Sequence, residues 1–388
     1  MRIVHTADWH VGRVWKNINR LDETARVLDH LAHYLEAEKI DLLLVAGDIF
    51  DASNPSPEGE QLVFRFFRRI GAHAIPSVVI AGNHDHHARM DAWGMLADLA
   101  GARVIGKPRA ANKGGVQEIA TRCRETAIVA ALPFAHPAVF VSALELAGEE
   151  TRAKSLYAER FKQAVQHLAT GFRKDCVNLL MAHTHLDGAV FSNSERQVHL
   201  GEDWAATPQS LPADAHYIAL GHIHKPQRVQ AAPVPTEYAG SPLQLDFGET
   251  GQQKSFVVID VNPGFPAKVE RIPYEGGTPL AEVKMTLAEL EAQQDNLRRA
   301  GWLRVNVPLA QPDPDLARKV RDLLENALVI RPELPAMEKE STAGPRVGKK
   351  PIELYREYHQ REYQIEPPTG VAEAFELLYE ECAEKRGW

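Results

Sequence analysis

Five short segments of the chain combine aspartate, asparagine and histidine in patterns that could bind divalent metal ions. In chain order they are Asp8-x-His10, Gly47-Asp48-x-x-Asp51, Gly82-Asn83-His84-Asp85, His183 and Gly221-His222-x-His224. Oxygen and imidazole ligands without cysteine suit Mn, Fe or Zn better than Mg. Because these ligands are too many for one ion, we expect two ions about 3.5–4 Å apart that share one carboxylate. Asp48 is the natural bridge.

Each segment has an ordinary structural explanation when it is taken alone. Aspartate after a strand also caps helices and forms turns, and the chain contains 17 histidines. The occurrence of all five segments in one chain favours a functional site over separate caps and turns. Each segment follows an apolar run that predicts a strand, as Leu42–Ala46 does before Asp48. Open α/β sheets bind ligands at the carboxyl ends of their strands. The sequence therefore predicts one shared site.

The elements that must position these segments alternate along the chain in the manner of a layered α/β domain covering residues 1–272. Strands are predicted at 2–7, 42–46, 77–81, 103–105, 116–120, 127–132, 177–182, 217–220, 255–261 and 267–274. Helices are predicted from Asp22 onward and at 58–71, 88–99 and 151–171. The strands are numerous enough for two sheets.

After Gly276-Gly277 the pattern restarts on a smaller scale and predicts a compact module at 273–331. Its predicted elements are a strand at 283–287, a helix at 288–300, a strand at 302–307 and a helix at 314–328. Residues 332–351 are rich in proline, glycine and basic residues and predict a linker. Two helices, 352–363 and 369–385, form a C-terminal segment at 352–388.

Composition narrows the class of protein. A length of 388 residues suggests two or three domains, and a formal net charge of −8 provides no overall basic field for nucleic acid. The three cysteines are far apart, which favours a reducing compartment. The sequence has no apolar run of the ~20 residues that a membrane span needs, and its start lacks a signal peptide. We expect a cytoplasmic protein without membrane contact.

The five segments resemble the motifs of the calcineurin-like metallophosphoesterase superfamily. Three stretches, His5–Arg13, Tyr217–Lys225 and Tyr238–Phe247, further resemble the SbcD family of bacterial DNA-repair nuclease subunits, relatives of the meiotic-recombination nuclease. This resemblance implies a four-layer α/β/β/α sandwich, a small α+β capping domain and C-terminal helices.

The resemblance also implies residue roles. One metal is bound by Asp8, His10, Asp48 and His224, and the other by Asp48, Asn83, His183 and His222. His84 faces the substrate as the catalytic group, while Asp51 and Asp85 orient the ligands as hydrogen-bond acceptors. His183 is chosen over His185 because it directly follows the apolar strand. His86 and His87 depart from the family pattern, and their contribution is open.

The implied function is Mn²⁺-dependent DNA hydrolysis, in which two cations activate a water and His84 protonates the leaving oxygen. In the family this is an ATP-dependent 3′→5′ double-strand exonuclease and single-strand or hairpin endonuclease that acts in break repair and recombination. The alternatives are a small-substrate phosphoesterase, such as a nucleotidase or phosphatase, and a scaffold with a decayed site. Intact ligands at every expected position argue against the scaffold.

The resemblance finally implies partners besides DNA. Helices 58–71 and 88–99 would form a homodimer interface, with Phe67, Trp93 and Leu96 as candidate residues. The chain has no Walker-type loop, so ATP-driven steps need another polypeptide. An SbcC-type coiled-coil ATPase would bind the C-terminal helices in a heterotetramer, through the candidates Tyr355, Phe375 and Leu378.

Overall fold

The computed structural model describes residues 1–136, 150–192, 194–195, 205–334, 350–363 and 365–386. Its described strands are β1 Arg2–Thr6, β2 Val14–Trp15, β3 Ile18–Asn19, β4 Leu42–Ala46, β5 Ser77–Ile80, β6 Ala102–Ile105, β7 Val116–Ala120, β8 Thr126–Leu132, β9 Val177–His183, β10 Tyr217–Gly221, β11 Gln227–Arg228, β12 Thr236–Tyr238, β13 Ser255–Asp260, β14 Lys268–Pro273, β15 Leu280–Lys284, β16 Trp302–Pro308 and β17 Ala327–Glu333. Its described α-helices are α1 Leu21–Ala37, α2 Pro57–Ala72, α3 His87–Ala97, α4 Glu150–Ala169, α5 Leu287–Ala292, α6 Gln294–Arg298, α7 Leu316–Leu323, α8 Pro351–Tyr363 and α9 Thr369–Arg386. The chain divides into two compact units, Met1–Glu333 and Leu334–Trp388.

Two six-stranded mixed sheets form the centre of the first unit. The first has the order β14-β13-β1-β4-β5-β6, with β1, β4, β5 and β6 parallel. The second has the order β11-β12-β10-β9-β8-β7, with β12, β10, β9 and β8 parallel. The parallel strands of each sheet bring their carboxyl ends to one edge, where the polar segments follow.

The two sheets pack face to face and each is covered by helices. All five residues of β4 are buried because its two faces contact different layers. Leu43 and Val45 join the core beneath α1 and α2, whereas Leu42 and Leu44 join the core between the sheets. On the outer face of the second sheet, α4 contributes Phe161, Val165 and Leu168. The predicted four-layer α/β/β/α fold is confirmed.

The small module after residue 276 differs in detail from its prediction. Its three strands, β15, β16 and β17, form a parallel sheet packed with α5, α6 and α7. The strand predicted at 283–287 ends at Lys284, because a capping box between Thr286 and Glu289 starts α5. The helix predicted to reach residue 328 ends at Leu323, and β17 was missed.

The module contacts the main domain through Glu23, which also forms a buried ion pair with Arg20 at the start of α1. Arg20 Nη2 lies 2.7 Å from Glu23 Oε2. The Glu23 carboxylate also accepts hydrogen bonds from Trp302 Nε1 at 3.0 Å and from the Thr278 N–H at 3.1 Å. Glu23 therefore connects α1 to the module by two hydrogen bonds, while its ion pair with Arg20 lies within the main domain.

The second unit contains the two C-terminal helices. The rings of Tyr355 and Phe375 stack at 4.4 Å and join α8 to α9. Leu377 and Leu378 remain 64% and 62% exposed, so α9 has apolar surface that α8 does not cover. Most of the linker predicted at 332–351 lies outside the described residues. Within the described part of the chain, none of the helices has the length and apolarity to cross a membrane.

We predict that Glu23→Ala destabilises the protein by about 3–5 kcal/mol, because it leaves the Arg20 charge buried and unpaired. Burial by itself raises the pKa of Glu23, but its hydrogen bond to Arg20 and the charge of Arg20 bring that pKa below its usual value. The stabilisation is therefore present above the ordinary glutamate pKa of about 4.3 and is lost as the pH falls through the folded-state pKa. Urea unfolding followed by tryptophan fluorescence measures it.

The matched control is Glu118→Ala, which breaks the exposed pair with Arg173. We expect a loss of no more than about 1 kcal/mol there. Equal losses in the two variants would contradict the role given to Glu23.

Candidate metal centre

The loops that follow β1 and β4 run side by side and bond to each other. The Asp8 N–H donates to the Gly47 carbonyl at 2.9 Å, and the His10 N–H donates to the Asp48 carbonyl at 3.0 Å. Asp8, His10 and Asp48 have φ values of 53°, 46° and 49°, and His222 has 97°. Positive φ is uncommon in residues other than glycine and accumulates at functional sites. These left-handed backbone conformations direct the four side chains toward one site.

Two glycines make room for the side chains. A Cβ on Gly47, whose φ is +94°, would collide with the His183 ring, and a Cβ on Gly82 would collide with the Asp48 carboxylate. The second sheet joins the first at this point, because the His222 N–H donates to Asp8 Oδ1 at 2.9 Å. The predicted segments thus meet at one edge of both sheets.

The seven predicted ligands form two clusters around Asp48. In one, His10 Nε2 lies 3.1 Å from His224 Nε2. In the other, Asn83 Oδ1 lies 3.0 Å from both His183 Nε2 and His222 Nδ1. Asp48 Oδ2 is 3.7 Å from His10 Nε2 and 3.6 Å from His183 Nε2. Within each of two groups, the candidate ligand atoms lie within 4.8 Å of one another. One group is Asp8, His10 and His224, and the other is Asp8, Asp48 and His183.

Hydrogen bonds on the outer side of the rings define which nitrogen faces the site. In three histidines the Nδ1–H group donates to an acceptor outside the site. His10 donates to Asp51 Oδ1 at 3.2 Å, His183 to the Ala46 carbonyl at 2.9 Å, and His224 to Ser194 Oγ at 2.7 Å. Their Nε2 atoms then carry lone pairs that point inward. His222 is the exception, since its Nδ1 faces Asn83.

This arrangement fits divalent cations. With Nδ1 protonated in both rings, the Nε2 lone pairs of His10 and His224 face each other at 3.1 Å, which repels unless a cation lies between them. Burial lowers the pKa of His10 to about 4 and also lowers the pKa values of His183 and His222. The imidazoles of these three residues are therefore neutral near pH 7, in the form that binds metals.

The pKa values of the two buried carboxylates, Asp8 and Asp48, shift in opposite directions. Burial and the neighbouring charge of Asp48 raise the pKa of Asp8. Burial alone would raise the pKa of Asp48 as well, but His183, His84 and His10 lower it below the usual aspartate range. Asp48 is therefore ionised between the two clusters, where a bridging ligand is needed, and a cation bound beside Asp8 would lower the pKa of Asp8 in turn.

His84 lies beside the His10 cluster, half buried. Its Nδ1 donates to the Asp51 carbonyl at 2.7 Å, and its ring meets that of His10 at 4.7 Å and 86°. The backbone N–H of His84 donates to Asp48 Oδ1 at 2.8 Å. A candidate ligand atom of His84 also lies within 4.8 Å of those of His10 and Asp48, so position alone permits a ligand role.

Asp51 and Asp85 contact the loops in different ways. Burial raises the pKa of Asp51, but His10 and Arg13 outweigh it and lower that pKa to about 2. Asp85 accepts the N–H groups of Ile49, Phe50 and Gly82 at 3.1, 3.0 and 2.9 Å. Asp51 thus supports a ligand ring, whereas Asp85 bonds the loop after β4 to the loop after β5.

The remaining histidines of these segments lie elsewhere. The His185 ring packs on Phe191 at 4.5 Å. His86 accepts the Arg89 N–H at the start of α3 and stacks on His87.

Sequence reasoning missed four residues beside His224: Ser194, Glu195, Glu249 and Lys254. Glu249 lies two residues after the Tyr238–Phe247 stretch, yet nothing in that pattern indicated a contact with a ligand.

Two family models match the chain, and the first fits the fold and the site. Residues 1–226 match the model described as calcineurin-like phosphoesterase, and residues 277–363 match the one described as Type 5 capsule protein repressor C-terminal domain. The chain belongs to the calcineurin-like phosphoesterases, and it is a hydrolase of the metallophosphoesterase type with a dimetal set of Asp and His ligands.

Named proteins with similar sequences show to which family of phosphoesterases the chain belongs. The SbcD subunit of nuclease SbcCD from Bacillus subtilis (strain 168) is 34% identical over 314 residues, covering 80% of each chain. The protein of the same name from Escherichia coli (strain K12) is 30% identical over 338 residues, covering 84% of this chain and 82% of that one. That of Rhodobacter capsulatus is 32% identical over 327 residues and 78% of each chain. Within the phosphoesterases, the chain is a nuclease subunit of the SbcD family.

Proposed function

We propose that this nuclease hydrolyses DNA phosphodiesters with two divalent ions, both Mn²⁺, in double-strand break repair and recombination. The observation that supports this is the position of Asp48 Oδ2, 3.7 Å from His10 Nε2 and 3.6 Å from His183 Nε2. One ionised carboxylate between two sets of ligands is the arrangement that a two-metal site requires. A cytoplasmic location stays a prediction.

The ligand sets are those that the family resemblance implied. Asp8, His10, Asp48 and His224 would bind one ion, and Asp48, Asn83, His183 and His222 the other. When bound, such ions neutralise phosphate charge and generate hydroxide near neutral pH. His84 would donate a proton through Nε2 to the leaving oxygen, since its Nδ1 is held by the Asp51 carbonyl at 2.7 Å.

The finer activity is proposed from the named relatives. Their names make each of them a subunit of the nuclease SbcCD. For this chain we propose ATP-dependent 3′→5′ double-strand exonuclease and single-strand or hairpin endonuclease activity, with an SbcC-type ATPase as the partner that supplies ATP hydrolysis.

The test is a nuclease assay on a 3′-labelled duplex with Mn²⁺ or Mg²⁺, with and without the ATPase, for the unmodified chain and for His84→Ala. We expect Mn²⁺-dependent cleavage that falls about 10²–10⁴-fold in the variant, while mass spectrometry still finds two bound ions. His33→Ala, at an exposed histidine of α1, is the control and should cleave normally.

Loss of one ion in His84→Ala would make His84 a metal ligand. Release of phosphate from a monoester, without cleavage of DNA, would support the small-substrate phosphoesterase instead.

We further propose that the chain forms a homodimer through α2, α3 and the turn that follows. Met95, Leu96 and Leu99 are 80%, 71% and 88% exposed there, which is an unusual concentration of bare apolar side chains. Of the predicted candidates, Leu96 has the surface for a contact. Trp93 is half buried between Phe50 and Phe64, and Phe67 packs on Trp9 in the core with 8% exposed.

We predict that Leu96→Asp converts the dimer to a monomer, because an interface related by a two-fold axis would bury two unpaired carboxylates, one from each copy. Light scattering at micromolar concentration measures the mass. Phe265→Asp changes a similarly exposed apolar residue, 67% exposed, in the β13–β14 connection and should leave the mass unchanged. A monomeric unmodified chain would contradict the proposed dimer.

The second unit is the proposed binding site for the ATPase. Short helices need a packing surface, and α9 leaves Leu377, Leu378 and Tyr379 at least half exposed. An amphipathic helix that lies in an apolar groove of a partner is a common mode of recognition. Tyr355 and Phe375 stack on each other, so among the predicted candidates Leu378 is the one with free apolar surface.

We predict that Leu378→Glu, or deletion of residues 340–388, abolishes co-purification with the ATPase but leaves a folded Mn²⁺-dependent nuclease. The charge would have to be buried on binding, which costs far more than a lost contact. Glu373→Gln, at an exposed position of the same helix, is the control. Co-purification of the deleted chain would place the binding surface elsewhere.

A further inference from the structure

His224 is surrounded by charged residues that the proposed reaction does not use. Its N–H donates to Glu195 Oε1 at 2.9 Å, and its carbonyl accepts from Lys254 Nζ at 2.8 Å. Its Nδ1 lies 2.7 Å from Ser194 Oγ and 3.5 Å from Glu249 Oε1. The main chain and the ring of this residue are therefore held from three directions.

We propose that Glu249 is a positioning residue for His224 and acts through the hydroxyl of Ser194. The chain of hydrogen bonds has one consistent direction. The His224 Nδ1–H donates to Ser194 Oγ, and the Ser194 hydroxyl donates to Glu249 Oε1. A carboxylate can only accept, so it sets the direction of both bonds. The ring is then fixed with its Nε2 lone pair toward His10 and the metal position, which is how this inference rests on the proposed function.

The Glu249 carboxylate is held in place by other residues of the domain. Glu249 is fully buried, and its other oxygen accepts from Lys254 Nζ at 2.6 Å and from the Leu245 N–H at 3.0 Å. A buried carboxylate is costly unless it is paired and hydrogen-bonded, and this one has both kinds of partner. Lys254 therefore keeps Glu249 ionised and, through the His224 carbonyl, also fixes the backbone of the same ligand.

A second ion pair, in which only the carboxylate is buried, serves as a comparison in the same domain. Glu237 on β12 pairs with Arg271 on β14, and neither residue contacts a predicted metal ligand. Its loss should lower stability alone. Loss of Glu249 should also change the metal site, because outer hydrogen-bond partners of a ligating histidine typically contribute 10–100-fold in metal affinity.

The experiment is calorimetric titration of Mn²⁺ into the metal-free full-length chain, for the unmodified protein, Glu249→Gln and Glu237→Gln. We expect two sites in the unmodified chain. In Glu249→Gln one site should weaken by about 10–100-fold while the other keeps its affinity. Glu237→Gln should bind as the unmodified chain does. The Mn²⁺ concentration for half-maximal cleavage should rise in Glu249→Gln, with kcat recovered at high Mn²⁺.

Three results would overturn the inference. They are unchanged affinity at both sites in folded Glu249→Gln, equal weakening of both sites, and the same Mn²⁺ profile in Glu237→Gln. If Glu249→Gln does not fold, Ser194→Ala removes the link between Glu249 and His224 without changing a buried charge and must show the same selective loss. An unmodified chain that binds no Mn²⁺ would instead count against the proposed two-metal function.

Discussion

The burial of two carboxylates among four imidazoles is the constraint on which the rest of the structure depends. Asp8, Asp48 and the four predicted histidine ligands are all at most 6% exposed, at the edge where the two sheets meet. Such a cluster is unfavourable without cations, because charges are removed from water and lone pairs face one another. Its ligands must therefore be held by the fold before any ion binds.

The fold holds them by shaping the backbone at the strand ends. The paired loops after β1 and β4 hold Asp8, His10 and Asp48 in left-handed conformations, and Gly82 lets the loop after β5 approach the Asp48 carboxylate. Asp85 then bonds these loops by accepting three backbone N–H groups. The strain at each position is compensated by hydrogen bonds that only the assembled sheet edge provides.

Sequence patterns predicted what is encoded locally. Apolar runs located ten of the twelve strands of the two sheets, while the short strands β11 and β12 were missed. The polar residues after these runs included Asp48 and the six predicted ligands that the structure gathers around it. The strand β17 was missed because Arg331-Pro332 within it resembles the linker composition that follows. Ser194 and Glu249 could not be predicted, since they lie 30 and 25 residues from His224 and their contacts exist only in the folded domain.

The carboxylates of Asp51 and Glu249 orient ligand histidines, and each is paired with a basic residue that balances its charge. Asp51 supports His10 and is paired with Arg13, while Glu249 supports His224 and is paired with Lys254. Among the seven predicted ligands, Asp8 and Asp48 are the two that can carry negative charge. Two divalent ions carry twice the charge that these two carboxylates can neutralise, so the ligands alone would leave positive charge beside the half-buried Asn83 and His84. Bound ions would therefore present local positive charge to a phosphate at this edge, although the chain is acidic overall.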